Sequence, residues 1–110
     1  MAPMTGYVQI MTTAESKVVA ERIGKKLLEE RLAACVQIVG PIASFYWWQG
    51  RIETAEEWLC LIKSKADLYE KIERTINEVH TYETPEILAL PVVTGNRMYL
   101  DWLRAELQRD

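Results

Sequence analysis

The stretch "AACVQIVGPIASFYWWQGRIETAEEWLCLIKS", residues 33–64, decides the fold of this 110-residue chain. Two apolar runs rich in β-branched and aromatic residues flank Gln49-Gly50, and a glycine there suits the positive φ of a tight hairpin turn. The pattern predicts a β-hairpin with arms over residues 33–48 and 51–63. Gly40-Pro41 interrupts the first arm, and because proline cannot donate to a ladder, we expect a bulge or bend there.

The predicted arms are too long for an ordinary domain. At ~3.3 Å per residue each arm extends roughly 40 to 50 Å, whereas a typical strand has ~5–6 residues. The distal part would project past its own helices as an exposed apolar patch with unpaired strand edges, which usually marks association. We therefore expect a closed homo-oligomer; the alternative is that the bend at Gly40-Pro41 folds the hairpin back onto its own core. The aromatic residues of this part are Phe45, Tyr46, Trp47, Trp48 and Trp58.

The residues before the hairpin predict one strand and one helix. Residues 7–11 alternate in the manner of a strand. Thr12 and Glu15 then form a capping-box pattern. Apolar residues at four-residue steps follow, which predicts an amphipathic helix from about 13 to 31.

The residues after the hairpin predict a helix, a strand and a final helix. We expect Ser64 to cap a helix that ends near His80. Residues 85–93, "PEILALPVV", form the last strand, with Pro91 at an edge or bulge, and Gly95-Asn96 opens a C-terminal helix. The order predicts a single α+β domain over residues 1–110, with a ferredoxin-like βαββαβ sheet covered by two helices on one face and a C-terminal helix beyond it.

Composition narrows the functional classes. The net charge of −3 and the missing aromatic–basic RNA-binding pattern argue against a nucleic-acid partner. No apolar run approaches the ~20 residues of a membrane span, and residues 1–10 lack a secretory pattern. Cys35 and Cys60 lie in apolar runs without Cys-x-x-Cys spacing, so we expect buried thiols and a cytoplasmic location.

Five stretches in order resemble the CutA family of divalent-cation tolerance proteins across nearly the whole chain. They are "EERLAACVQIV" (29–39), "SFYWWQGRIE" (44–53), "LIKS" (61–64), "HTYETPEILALPV" (80–92) and "GNRMYLDWL" (95–103). The resemblance implies a ferredoxin-like fold similar to the PII signalling proteins and an interlocked homotrimer. The hairpin by itself predicts only a closed oligomer.

The resemblance also implies a metal site. Copper binding is attributed to the family through residues that correspond here to Met11, His80 and Glu86, so copper or another divalent ion is the expected ligand. Met11 replaces the family's cysteine, and a thioether suits Cu(I) better than divalent ions. Thr81 replaces the family's proline. The alternative for His80 is a structural role at a helix C-terminus, where an imidazole interacts well with the helix dipole.

A second candidate site is a pocket between subunits. By resemblance it is lined by Trp48, Lys63, Tyr82 and Glu86, in which rings provide apolar walls and charges orient a small polar ligand. With one histidine and no suitably placed serine or cysteine, no catalytic triad can be built, so we do not expect an enzyme. Three hypotheses stay open: a PII-like module linked to divalent metal tolerance, an assembly scaffold without metal binding, and an uncharacterised enzyme at the subunit interface.

Overall fold

Four strands and three helices follow one another in the predicted order within residues 5–109. The structure is a computed structural model, and it describes these residues. The expectation about a secretory signal rests partly on residues 1–4, which lie outside the described residues. No helix in the described part of the chain has both the length and the apolar character to cross a lipid bilayer. The elements are β1 (Tyr7–Ala14), α1 (Lys17–Glu29), β2 (Cys35–Trp48), β3 (Arg51–Lys65), a 3-10 turn (Ala66–Leu68), α2 (Tyr69–Val79), β4 (Leu88–Pro91) and α3 (Arg97–Glu106).

The four strands form one antiparallel sheet in the order β2-β3-β1-β4, so β2 and β4 are its edges. Pro91 ends an edge strand, as predicted, where its missing N–H costs no ladder bond. Alternate strand residues such as Ile10, Cys60 and Ile62 are fully buried and form one core with the apolar stripes of α1 and α2.

The hairpin turn and the irregularity in β2 are both confirmed. Trp48 pairs with Arg51, so Gln49 and Gly50 form a two-residue loop, and their φ angles of 49° and 78° are both positive. Positive φ at both central residues is what a type I′ turn requires, and that turn matches the twist of the flanking strands. The register of β2 against β3 shifts between Val39 and Ile42, where Gly40-Pro41 lies.

The distal hairpin extends past the rest of the sheet. Ala14, the last residue of β1, pairs with Trp58, so within the described chain residues 42–48 and 51–57 pair only with each other. This two-stranded part, residues 42–57, is called the overhang below; it is roughly 20–25 Å long at ~3.3 Å per residue. Phe45 and Trp47 are 71% and 73% exposed there. A lone two-stranded ribbon is marginally stable in water at best.

Trp58 does not belong to the projecting aromatic set, which corrects the prediction. It packs against the buried core, and its indole lies against Gly40, where any Cβ would clash with the ring. Gly40 therefore gives the tryptophan room beside the β2 irregularity. The overhang ends at Glu57, one residue before Trp58.

The sheet face opposite α1 and α2 is only partly covered. Directly paired residues share a face, and the pairs Met11–Leu61, Met11–Leu88 and Val39–Leu59 place their side chains away from the helices. Val39, Leu88 and Leu90 are about half exposed. This surface, called the open face below, consists of Met11, Val39, Leu59, Leu61, Leu88 and Leu90.

Both predicted helix caps are wrong because the strands run further than their alternation suggested. Thr12 lies inside β1, and the cap of α1 is Ser16, whose hydroxyl accepts the Val19 N–H at 3.2 Å. Ser64 lies inside β3, and its buried hydroxyl donates to the Leu32 carbonyl at 2.6 Å. The end of α1 also comes earlier than predicted, because Arg31 adopts a left-handed φ of 58°.

The two mispredicted caps give a paired stability test. The Thr12 hydroxyl is fully buried and finds no hydrogen-bond partner among the described residues, so Thr12→Val should leave stability unchanged or raise it. Ser64→Ala leaves the Leu32 carbonyl without its donor and should cost about 1–3 kcal/mol. Denaturant unfolding of the two variants measures both. A larger loss for Thr12→Val than for Ser64→Ala would contradict these assignments.

Candidate functional site

The segment that joins α2 to β4, residues 80–87, contains most of the predicted site residues and is called the connection below. It starts at His80, the C-cap of α2, as the sequence predicts, and its backbone N–H donates to the Ile76 carbonyl at 2.8 Å. The Thr81 hydroxyl donates to the Glu15 carboxylate at 2.6 Å. The connection is therefore attached to the end of β1 as well as to α2.

The His80 ring uses both of its nitrogens. Nε2 lies 2.7 Å from the backbone carbonyl oxygen of Thr13, and Nδ1 accepts the backbone N–H of Tyr82 at 3.0 Å. A carbonyl can only accept and an amide N–H can only donate, so Nε2 carries the proton and Nδ1 does not. The partners thus define a neutral imidazole with one tautomer.

Tyr82 connects the same segment to β3. Its hydroxyl donates to the Glu57 carboxylate at 2.8 Å, and its ring lies 4.7 Å from the His80 ring, centroid to centroid. Glu57 is only 8% exposed. Burial raises the pKa of Tyr82 well above its ordinary value, and the hydrogen bond to the Glu57 carboxylate raises it further. The hydroxyl therefore stays protonated and remains a donor to the carboxylate.

The three predicted metal ligands lie near one end of the β1–β4 pair, but they do not form a ready-made metal site. Met11 pairs with Leu88, two residues after Glu86, and His80 contacts the carbonyl of Thr13. Both ring nitrogens of His80 are engaged, and Met11 supplies a thioether. Within residues 5–109 no three His, Cys, Asp or Glu side chains come together as ligands, whereas structural zinc sites use four.

The four predicted pocket residues do not meet within one subunit. Trp48 pairs with Arg51 at the tip of the hairpin, whereas Lys63 pairs with Gln9 and Cys35 at its base. Along one strand that separation is roughly 40 Å at ~3.3 Å per residue.

The other pocket residues lie between and beside these two. Tyr82 is bound to Glu57, partway along the same strand, and Glu86 is exposed on the connection. The Lys63 ammonium donates to the Gln37 side chain at 2.6 Å. A pocket that contains both Trp48 and Lys63 therefore needs two copies of the chain.

Glu57 is the site residue that sequence reasoning missed. It lies in the polar run "ETAEEW", where nothing distinguishes it from the exposed Glu56 beside it. Its position opposite Ile42, just past the register shift in β2, places it against the connection. The extra residue of the irregularity is in β2, and it brings Ile42 opposite Glu57. A single buried glutamate whose cover comes from a distant segment carries no reliable sequence signal.

The two cysteines differ, which partly corrects the prediction that both are buried. Cys60 is fully buried and burial raises its pKa to about 11, whereas Cys35 is only half-buried. Cys35 pairs with Lys63 and Cys60 pairs with Ile38, so the two thiols point to opposite faces of the sheet.

The raised pKa predicts that Cys60 is unreactive in the folded protein, because the thiolate is the nucleophile. In a Cys35→Ser variant, iodoacetamide at about pH 8 should label nothing until guanidinium unfolds the chain. Mass spectrometry of the intact protein measures how much of Cys60 is alkylated before and after unfolding. Complete labelling of Cys60 under native conditions would show that the β1–β3 core opens far more readily than its burial indicates.

An antiparallel sheet of order β2-β3-β1-β4, with two crossover helices in βαββαβ sequence, defines a ferredoxin-like α+β protein of the PII-like type. Residues 8–106 match the family model described as the CutA1 divalent ion tolerance protein. The chain belongs to the CutA1 family, which its name links to divalent-cation tolerance.

Named relatives are similar to this chain in sequence and in structure over most of its length. The divalent-cation tolerance protein CutA of Thermus thermophilus is 46% identical over 95 residues, which is 86% of this chain and 92% of that protein. The solved structure of CutA1 from Oryza sativa matches with a TM-score of 0.93 and 34% identity, over 97% of this chain and 98% of that one. The structure from Archaeoglobus fulgidus, named a periplasmic divalent cation tolerance protein, has a TM-score of 0.90 and 40% identity, over 93% of this chain and 99% of that one.

Proposed function

We propose that this chain is a self-assembling binding protein, a homotrimer whose subunit interfaces form a cleft for a small polar ligand, and that it acts in the response to divalent metal ions. The overhang is the observation that carries the proposal. Its exposed Phe45 and Trp47 and its pairing confined to two strands make it unstable in a lone subunit. A second copy provides the cover that it needs.

The two edges of the sheet support a ring rather than a simple pair. The outer edge of β2 and the outer edge of β4 are different surfaces of one subunit, so a contact between them is head-to-tail, and such contacts generate rings when the rotation closes. The open face is a further apolar surface, and Val39, Leu88 and Leu90 on it are about half exposed in the lone subunit. The number three comes from the CutA resemblance, and the edges favour a closed cyclic arrangement.

The cleft follows from the assembly. Because Trp48 and Lys63 are far apart in one chain, Trp48 of one copy would complete a pocket with Lys63, Tyr82 and Glu86 of its neighbour. Aromatic walls with one positive and one negative group suit a small polar ligand. Copper or another divalent ion is a second candidate, held by the Glu86 carboxylate with groups from the neighbouring copy. The proposed role is binding and not catalysis. The proposed location is the reducing cytoplasm, because two free thiols on opposite faces of the sheet suit that compartment.

A matched pair of variants tests the cleft. Glu86→Gln should weaken binding by at least about tenfold, roughly 1.4 kcal/mol, whereas Glu83→Gln, also exposed on the connection, should bind as the wild type does. Calorimetry of the intact assembly against Cu(II), Zn(II) and a panel of small organic anions measures both. An intact assembly that binds nothing in the panel, or equal affinities for both variants, would favour a scaffold over a binding protein.

A further inference from the structure

We infer that His80 is a positioning residue, which holds the connection in place as a neutral imidazole and is not available as a metal ligand. The inference does not depend on how many copies assemble, because every contact it uses lies within one subunit. It differs from the role that the family resemblance implies for this histidine.

Metal coordination needs a free lone pair on one ring nitrogen. The Nδ1 lone pair accepts the Tyr82 N–H at 3.0 Å, and Nε2 carries the proton that it donates to the Thr13 carbonyl at 2.7 Å. Binding a metal through Nδ1 would leave the Tyr82 N–H without its acceptor. Binding through Nε2 would remove that proton and leave the Thr13 carbonyl without its donor. Either step leaves a backbone group unpaired at a half-buried site, which is unfavourable.

The same two bonds explain what the ring does. Thr13 belongs to β1 and Tyr82 to the connection, so the imidazole joins these two parts of the chain. Tyr82 then reaches β3 through its 2.8 Å bond to Glu57. Its ring lies against the imidazole at 4.7 Å, tilted by 31°. His80 therefore acts through Tyr82: it sets the backbone from which the tyrosine hydroxyl meets a buried carboxylate.

Two conservative substitutions separate the two bonds. An asparagine places its side-chain oxygen near the position of Nδ1 and can accept the Tyr82 N–H, as in an Asx turn. A glutamine places its side-chain N–H₂ near the position of Nε2 and can donate to Thr13. His80→Ala removes both bonds. The denaturation midpoint should therefore fall furthest for His80→Ala, with partial recovery in both His80→Asn and His80→Gln.

The chain contains one histidine, so one imidazole signal reports the tautomer without ambiguity. Long-range ¹H–¹⁵N correlation spectra of the assembled protein should show a protonated Nε2 and an unprotonated Nδ1. One equivalent of Zn(II) per chain, which is diamagnetic, should leave both nitrogen resonances in place, and His80→Asn and His80→Gln should retain wild-type zinc affinity. Absence of zinc binding in all three proteins agrees equally with the inference.

Any one of the following spectroscopic or binding results would overturn the inference: a ring protonated at Nδ1, imidazole resonances that move in proportion to bound zinc, or zinc affinity lost in both amide variants. A His80→Ala protein as stable as the wild type would also overturn it. Loss of assembly, by contrast, would count against the proposed function and leave the tautomer test intact, since monomer and assembly contain the same intrasubunit bonds.

Discussion

A Phe45→Asp/Trp47→Asp double variant should lose its assembly and sediment as a single 12.7 kDa chain. The two side chains lie on one face of the overhang, where Phe45 pairs with Thr54 and Trp47 pairs with Ile52, and both are over 70% exposed in the lone subunit. Burying each aromatic side chain contributes about 1.5–3 kcal/mol, and two carboxylates would add a desolvation cost. We expect self-association to weaken about 10³-fold or more.

Val18→Asp is the matched control for this variant. Val18 is an exposed aliphatic residue on α1, at 63% exposure, and it lies far from the overhang in sequence. The substitution makes the same apolar-to-acidic change and should leave the sedimentation coefficient unaltered. If the double variant retained the wild-type mass, or if Val18→Asp dissociated equally, the overhang would not be what holds the copies together.

Tyr82→Phe should destabilise the folded chain by about 1.5–3 kcal/mol, the range for a hydrogen bond to a charged group. The loss arises because the buried Glu57 carboxylate then has no donor from the connection. Tyr69→Phe is the matched control, since the Tyr69 hydroxyl also donates to a carboxylate, Glu73, at 2.9 Å, but on an exposed helix surface. We expect its effect to stay below about 0.5 kcal/mol. Urea unfolding curves at neutral pH measure both, and equal losses would contradict the account.

The Tyr82 contact also predicts a pH dependence. Its pKa is raised in the folded state above the ordinary 10.0, so below pH 10 both states keep the proton and the stability is fully present. Above pH 10 the unfolded chain ionises while the folded chain holds its proton, so stability falls as the pH rises further. Tyr82→Phe should make this alkaline loss shallower than in the wild type, although the variant is less stable at neutral pH.

Local chemistry made the hairpin predictable from the sequence. Gln49-Gly50 between apolar runs predicted the turn, and Gly40-Pro41 predicted the irregularity, because both depend on backbone constraints of single residues. The helix caps failed for the opposite reason. Thr12 and Ser64 have the side chains of cap residues, but the pairing of β1 with β3 extends through both positions, and tertiary pairing overrides a local preference.

The candidate site was less predictable than the fold. Sequence reasoning placed His80 at the end of a helix, but it could not show that Thr13 and Tyr82 occupy both ring nitrogens, since one of these partners lies 67 residues away in sequence. The burial of Glu57 depends on the register of β2 past its irregularity and on the path of the connection. The family resemblance assigns Trp48 and Lys63 to one pocket. In a single chain they lie far apart along the hairpin, so a shared pocket requires two copies of the chain.

Sedimentation equilibrium at submicromolar concentration tests the central claim most directly, because that claim is that the overhang is stable only against sister copies. The account predicts a particle of three times the 12.7 kDa chain mass, with the hairpin tryptophans shielded from acrylamide quenching. A folded particle of 12.7 kDa with the same shielding would contradict it, since the overhang would then find its cover within one chain.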